Sequence, residues 1–359
     1  MPAMPEPTDA FVRLRPIGWS DDAELVKAAQ GRRVARVTGQ HRTGFEVAEG
    51  PEQTHRVQPP ASWTRPRGDP ELRAIVGDWV ALDADGKNIL ELLPRQALLK
   101  RGAAGEHHRV QLIAAYVDHV IVFCGLYADF NPRRIERYLV VVQSSGAAPV
   151  LVLTKADQCE IIEDVLDTLV EVVDNGVPVH PVNAKDAASL AVLHPYLGPG
   201  RTVVLVGSSG AGKSTLTNTL LGTERMKTNT VRENDQRGRH TTTFRALIPL
   251  PQGGCLIDTP GMRELKLSGE ELLEEGAFAD IDTIIGECRF SDCGHSNEPG
   301  CAILAALEDG TLDEARYAHY LKLRDERDAA AMSLAARRAE VKDVQKGFHK
   351  RPKDKYGRK

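Results

Sequence analysis

The string Gly207, Ser208, Ser209, Gly210, Ala211, Gly212, Lys213, Ser214 fits G-x-x-x-x-G-K-[ST] at every fixed position. It follows the apolar run Val203 to Val206 and precedes a helix predicted from Lys213 to Leu221. Strand, loop and helix thus come in the order that phosphate binding requires. Backbone N–H groups can surround phosphate oxygens only where no Cβ intrudes, which the glycines allow, and the start of the helix adds positive dipole. Lys213 would reach the β- and γ-phosphates and the Ser214 hydroxyl would ligate Mg²⁺, with Thr215 completing the nucleotide-binding set. The competing reading is a glycine-rich turn between structural elements, and the flanking strand and helix argue against it.

A chain of 359 residues is too long for one ordinary core and suits two or three domains. No apolar run approaches the length of a membrane span, and Met1 to Pro7 lacks the basic start and apolar core of a signal peptide, so a cytoplasmic protein without a membrane partner is expected. The formal net charge of -4 conceals an uneven distribution: Arg337 to Lys359 carries ten Lys/Arg against three Asp/Glu. Such a tail suits an anionic partner, or is simply a solvated basic end. Six cysteines occur, three of them between Cys288 and Cys301. Cys288, Cys293, His295 and Cys301 offer three thiolates and an imidazole, enough to close a tetrahedral zinc shell with no position open for chemistry. Scattered core cysteines are the alternative.

Residues 1–31 read as a lead-in with a short helix from Ser20 to Gln30. From 32 to 100 the pattern is short β segments, at 33–37, 44–47, 74–76, 79–82 and 88–92, separated by Gly, Pro and Asp, which predicts a small barrel such as an OB-fold. The interval from Gln53 to Arg73 reads as a loop carrying Arg56, Arg65, Arg67, Arg73 and Trp63, either an RNA-gripping surface or a solvated loop. From 110 to 265, apolar runs (Val117–Phe123, Val150–Leu153, Val203–Val206) and a further strand at Val177–Val182 alternate with helical spacing at Asn131–Ser144 and Glu160–Val173. That alternation describes an open parallel sheet with helices on its faces, whose ligands bind beyond the carboxyl ends of the strands. Residues 266–335 read as a helical zinc-binding segment and 336–359 as the basic tail.

The loops after those strands form a set. Thr154, Lys155 and Asp157 follow Leu153 directly. A carboxylate at 157 would accept two hydrogen bonds from the ring N–H and exocyclic amine of guanine, and the stem of Lys155 would lie across the base; a helix N-cap at Asp157 is the plainer reading. Asn183, Ala184 and Lys185 follow the next strand and present N–H groups to the guanine carbonyl. Past the phosphate loop, Asp258 would hold Mg²⁺ through water and the Gly261 N–H would meet the γ-phosphate. Between them, Arg237-Gly-Arg-His-Thr-Thr-Thr243 offers one of Thr241, Thr242 and Thr243 to the magnesium shell.

These motifs resemble those of a translational-type GTPase in rotated order, with the base-reading loops ahead of the phosphate loop. With an N-terminal barrel and a C-terminal cysteine cluster, the chain resembles the small ribosomal subunit biogenesis GTPases called RsgA, YjeQ or EngC. The likeness covers roughly residues 32 to 330, and Gly-Arg-His-Thr-Thr-Thr is among its most specific strings. Thr154 stands where the usual pattern has Asn, and Asn183 where it has Ser. The resemblance implies an α/β circularly permuted P-loop GTPase domain with an N-terminal OB-fold β-barrel and a C-terminal helical zinc-binding domain. It also implies hydrolysis of GTP to GDP stimulated by the small subunit, rRNA contacts through barrel and tail, one structural Zn²⁺, Mg²⁺ with the nucleotide, and action as a monomer. Met262 occupies the place of the water-orienting glutamine of Ras-type enzymes, and the resemblance assigns that task to His240.

Overall fold

A computed structural model describes residues 11–349 except 42, 65–68, 104–109, 127–128, 171–172, 174–175, 209, 223–244, 252, 260–264, 272 and 274–276. A 3-10 turn (Val12–Ile17) leads into α1 (Ala23–Ala29), which starts where the Asp22 carboxylate accepts the N–H groups of Glu24 (3.0 Å) and Leu25 (2.9 Å).

Five strands follow: β1 (Arg33–His41), β2 (Gly44–Ala48), β3 (Thr54–Val57), β4 (Trp79–Leu82) and β5 (Ile89–Leu92). β1 pairs antiparallel with β2 and β4, β2 with β3, and β4 with β5. A parallel bridge between Gln58 and Asn88 closes the ring, with Ile89 N–H on Gln58 O and Gln58 N–H on Lys87 O, both at 2.9 Å. Val37, Val47, Val57, Val80 and Ile89 fill its interior. One strand differs from the sequence expectation. Ala74-Ile75-Val76 is buried but irregular, held by Ile75 N–H on the Asp78 carboxylate (2.7 Å) and Ala115 N–H on Val76 O (3.1 Å). The fifth strand is Thr54–Val57, inside the stretch read as a loop; of its side chains only Val57 is buried, so the apolar signal was absent.

β6 (Leu98–Gly102) and β7 (Val110–Ala115) form a separate antiparallel pair that the sequence reading did not anticipate. The mainly parallel part of the sheet then runs β8 (His119–Gly125), α2 (Pro132–Gln143), β9 (Ala148–Thr154), α3 (Ile162–Val170), β10 (Val179–Val182), β11 (Thr202–Gly207), α4 (Lys213–Leu221), β12 (Ala246–Pro249) and β13 (Cys255–Asp258). Its spatial order is β10-β9-β8-β11-β13-β12, parallel throughout except for β12 on β13. The central strands are apolar through their middles because both faces are covered: Val120, Val122, Leu151, Leu153, Val204 and Val206 join one core, and Ile121, Phe123, Val150, Val152, Val203 and Leu205 the other. The chain builds outward from β8 to β10, returns to β11 beside β8, then builds the other way. That reversal makes the carboxyl end of β11 a topological switch point, the place where such sheets bind ligands.

Ring and sheet are continuous, because β1 meets β12 at Gly39 and Ala246. Near this join Arg36 is fully buried, donating to the carbonyls of Ile17 (2.6 Å), Gly77 (3.1 Å) and Tyr116 (3.3 Å) beneath the ring of Trp79. One guanidinium thus pins the lead-in, the ring and the chain that enters β8.

The C-terminal part is helical: α5 (Ala279–Gly286), α6 (Ala302–Asp309) and α7 (Glu314–His349). α7 continues past residue 336, so much of the segment read as a basic tail is helix. α7 docks on α2 through charge. Glu136, fully buried, accepts from Arg316 and from His319 Nδ1 (2.7 Å), and Arg137 meets the Glu326 carboxylate at 2.7 Å.

Candidate functional site

At the carboxyl end of β11, Gly207 has φ 137°, and a Cβ there would lie 2.4 Å from the Phe123 carbonyl oxygen. Only glycine lets the strand turn there into the phosphate loop. Gly212 then caps α4 in the left-handed conformation (φ 90°), with Thr154 and Ala184 close enough that a Cβ would be 3.6 Å from one and 3.7 Å from the other. The phosphate loop therefore lies against both loops read as base-binding. Two hydrogen bonds fasten the three together: the buried Thr154 hydroxyl donates to the Ala211 carbonyl at 2.8 Å, and the Thr219 hydroxyl of α4 donates to the Ala184 carbonyl at 2.8 Å.

The two departures from the usual pattern acquire physical content here. Thr154 supplies a short hydroxyl that reaches the phosphate loop. The Asn183 side-chain oxygen accepts the Lys185 N–H (3.0 Å), while the Asn183 main-chain N–H donates to the Ser189 hydroxyl (2.9 Å), so the residue closes the turn after β10. Beyond Thr154 the chain enters the left-handed region at Lys155 (φ 63°) and makes a 3-10 turn, Ala156–Gln158, that leaves Asp157 exposed at the end of β9.

The Lys213 ammonium, on the first turn of α4 beside half-buried Ser214 and Thr215, donates to the carbonyls of Gly207 and Ser208. Asp258 ends β13, and Thr259 locks that end to β11 through the Leu205 carbonyl (3.2 Å). Burial pushes the Asp258 carboxyl up, and the charge of nearby Lys213 pulls the other way. Loops after β9, β10, β11 and β13 thus gather Thr154, Lys155, Asp157, Asn183, Ala184, Gly207, Ser208, Gly210, Ala211, Gly212, Lys213 and Asp258 at one end of the sheet. Ser209, His240, Thr241, Thr242, Thr243 and Gly261 lie outside the described residues.

One residue of this end escaped the sequence reading. Asp129, in the loop after β8, accepts the Gly125 N–H (3.0 Å) and the Ser208 hydroxyl on Oδ2, and Arg134 on Oδ1 (2.7 Å). Its signal was an acidic residue just after a buried strand and just before Asn131-Pro132, a helix start.

The cysteine cluster is a second candidate site. The ligand atoms of Cys288, Cys293, His295 and Cys301 all lie within 4.8 Å of one another, with His295 Nδ1 3.6 Å from Cys288 Sγ and 3.5 Å from Cys301 Sγ. Zinc bound tetrahedrally, at ~2.3 Å to sulfur and ~2.05 Å to nitrogen, separates sulfur and nitrogen by about 3.5 Å, so these donors fit. All six cysteines are free, and no disulfide competes for the thiols. Burial tends to raise the Cys288 thiol, yet the N–H groups of Ala302 and Ile303 at the start of α6, with the neighbouring thiols, hold it below its ordinary value. Glu298 shapes the loop by accepting the N–H groups of Gly294 (3.0 Å), Ser296 (2.9 Å) and Asn297 (3.0 Å), bonds to main chain that hold its pKa down at about 2. Four protein donors would leave no position open on a tetrahedral metal, the pattern of a structural rather than a catalytic centre. Among the described residues no helix is long and apolar enough to cross a membrane.

Comparison with known proteins agrees with this geometry. A family model described as RsgA GTPase matches residues 92–268. The chain is 56% identical over 357 residues to the small ribosomal subunit biogenesis GTPase RsgA of Xanthomonas axonopodis pv. citri (strain 306), which covers 97% of this chain and 98% of that one. Among solved structures it is similar to YjeQ from Thermotoga maritima (26% identity, TM-score 0.59, covering 82% of this chain and 98% of that one). It is also similar to YloQ, a circularly permuted GTPase (25% identity, TM-score 0.57, covering 86% and 99%). With the loops after β9 and β10 preceding the phosphate loop in sequence yet packing against it, and with such identity over nearly its whole length, the chain belongs to the RsgA GTPase family and has its circularly permuted fold.

Proposed function

We propose that this chain hydrolyses GTP to GDP and phosphate in late maturation of the small ribosomal subunit, binding subunit rRNA and turning over faster in its presence. The observation that carries the reading is the Thr154 hydroxyl on the Ala211 carbonyl: it makes the base loop and the phosphate loop parts of one rigid receptor. In that receptor Asp157 accepts both guanine donors, the Lys155 stem covers the base and the Asn183-Ala184-Lys185 turn meets the guanine carbonyl. The loop from Gly207 to Gly212 wraps the phosphates, while Lys213 exchanges its two carbonyl partners for β- and γ-phosphate oxygens. Ser214 and, through water, Asp258 would hold Mg²⁺, which when bound neutralises charge on the β- and γ-phosphates. His240 orients the attacking water; His240→Ala should suppress hydrolysis and leave GTP binding nearly intact.

We read the closed ring, whose strands pair β1-β2-β3-β5-β4 and back to β1, as an OB-fold spanning residues 32–100, and residues 1–31 as its lead-in. The GTPase domain spans 110–265, a helical domain stabilised by one Zn²⁺ spans 266–335, and a basic segment spans 336–359. Ring and basic segment are the rRNA-facing parts of a cytoplasmic monomer. The test is GTP turnover by the full chain with small subunits, with large subunits and with neither. Stimulation by small subunits alone is expected; equal turnover in all three would refute it, and no turnover in any would leave a zinc-stabilised RNA-binding protein with an idle nucleotide site.

A further inference from the structure

Ser208, the second residue of the phosphate loop, is buried, and its hydroxyl donates to Asp129 at the root of the neighbouring helix. The same Asp129 oxygen receives the Gly125 N–H at the end of β8, and the other oxygen receives Arg134 of the first turn of α2 at 2.7 Å. Arg134 also donates to the Asp129 main-chain carbonyl, and its N–H is capped by the Asn131 carboxamide (3.0 Å). A phosphate-loop side chain is thus bonded directly into the start of α2. One turn further on, α2 is bonded to the C-terminal helices. Arg133, Glu136 and Arg137 share a face by their spacing. Buried Glu136 accepts from Arg316 and His319, and Arg316 also forks onto Asp280 of α5 with two bonds of 2.8 Å. Arg137 meets Glu326, which also accepts the Leu267 N–H at 3.3 Å.

We infer that Asp129 is a positioning residue for the phosphate loop, and that α2 is the strut through which occupancy of that loop and docking of α7 influence one another. The inference rests on the GTP-site reading above. Nucleotide contacts made by the loop bear on Ser208, hence on Asp129 and the seating of α2, whose other side is locked to α5 and α7 by ion pairs centred on buried Glu136 and Arg316. Such coupling is reciprocal: whatever nucleotide does to α7, a change at the α2–α7 contact does to nucleotide affinity by the same factor.

The test uses the full chain and a non-hydrolysable GTP analogue. Affinity is measured for wild type, Asp129→Asn, Ser208→Ala and the double variant, and hydrogen exchange along 314–336 is followed with and without nucleotide. Each single change should weaken binding by at least about fivefold, the lower end of ordinary coupling, and the double change should cost no more than the worse single one. Wild-type α7 should exchange more slowly with nucleotide present, and either single variant should lose that difference. Glu136→Gln, remote from the nucleotide, should shift affinity as well. If Asp129→Asn fails to fold, Ser208→Ala removes the same bond from the other side and decides the matter. Wild type that binds nucleotide while both single variants bind equally well, or with α7 exchange indifferent to nucleotide, overturns this inference alone. Wild type that binds no nucleotide overturns the GTP-site reading with it.

Discussion

Replacing Thr154 with Val isolates the bond on which the site is assembled. Valine keeps the β-branch and the volume but deletes the hydroxyl that donates to the Ala211 carbonyl at 2.8 Å. Both residues are fully buried, so water cannot readily substitute for the lost donor. Leaving a buried carbonyl without its partner costs about 1–3 kcal/mol. If the loop stays in place without nucleotide, that cost appears as lost stability. If the loop relaxes and must be re-formed on binding, it appears in affinity, where each 1.4 kcal/mol is tenfold and the range corresponds to about fivefold to 150-fold in Kd. Calorimetric titration with GDP and thermal unfolding of the same preparations apportion the loss, and Thr154→Ser should restore most of it. A Thr154→Val chain with wild-type affinity and wild-type Tm would refute the reasoning.

Three further outcomes are expected. Glu136→Ala strands Arg316 and His319 in the α2–α7 contact; removing one partner of a buried ion pair costs about 3–5 kcal/mol, and the bonds Arg316 keeps to Asp280 place the change at the lower end, read from the urea midpoint of helix loss. Because burial raises the Asp258 pKa, the fold favours its protonated form: the ionised form is a stability cost above that pKa, relieved as pH falls through it, whereas magnesium needs the ionised form. Magnesium-dependent GTP affinity should therefore fall on acidification at a higher pH than an ordinary aspartate dictates, and Asp258→Asn should flatten that part of the profile. Removing zinc with a chelator, or Cys301→Ser, should release one equivalent of metal in a colorimetric assay and speed hydrogen exchange from Cys288 to Ala302, with guanine-nucleotide binding retained.

Much of the candidate nucleotide site was legible because its chemistry is local. Lys213–Leu221 is helical from the residue expected, and loops after three separate strands carried polar residues where a buried parallel sheet would otherwise have none. What escaped was nonlocal. Glu136 falls on an amphipathic helix, where a charge normally faces water; its burial depends on Arg316, 180 positions along the chain. β3 hides because one apolar side chain out of four gives no period-two signal, and Ala74-Ile75-Val76 mimics a strand because all three side chains are buried in the core while the Ile75 N–H bonds the Asp78 carboxylate. The pairing of β6 with β7 is likewise a relation between separate segments that composition does not encode. The Thr154 and Asn183 departures became interpretable only once their hydrogen-bond partners were visible.

Base selection by Asp157 tests the central claim most directly, since it asks whether a carboxylate supplied by the loop after β9 and a phosphate loop supplied after β11 serve one ligand. Binding of GTP, ATP and xanthosine triphosphate is measured by competition for wild type and Asp157→Asn. Xanthine carries a carbonyl where guanine has its exocyclic amine, so an asparagine that donates there replaces a carboxylate that accepts. Wild type should prefer GTP over ATP, and Asp157→Asn should lose GTP and gain xanthosine triphosphate. Unaltered GTP preference in the variant, or wild type that favours ATP, would contradict the account.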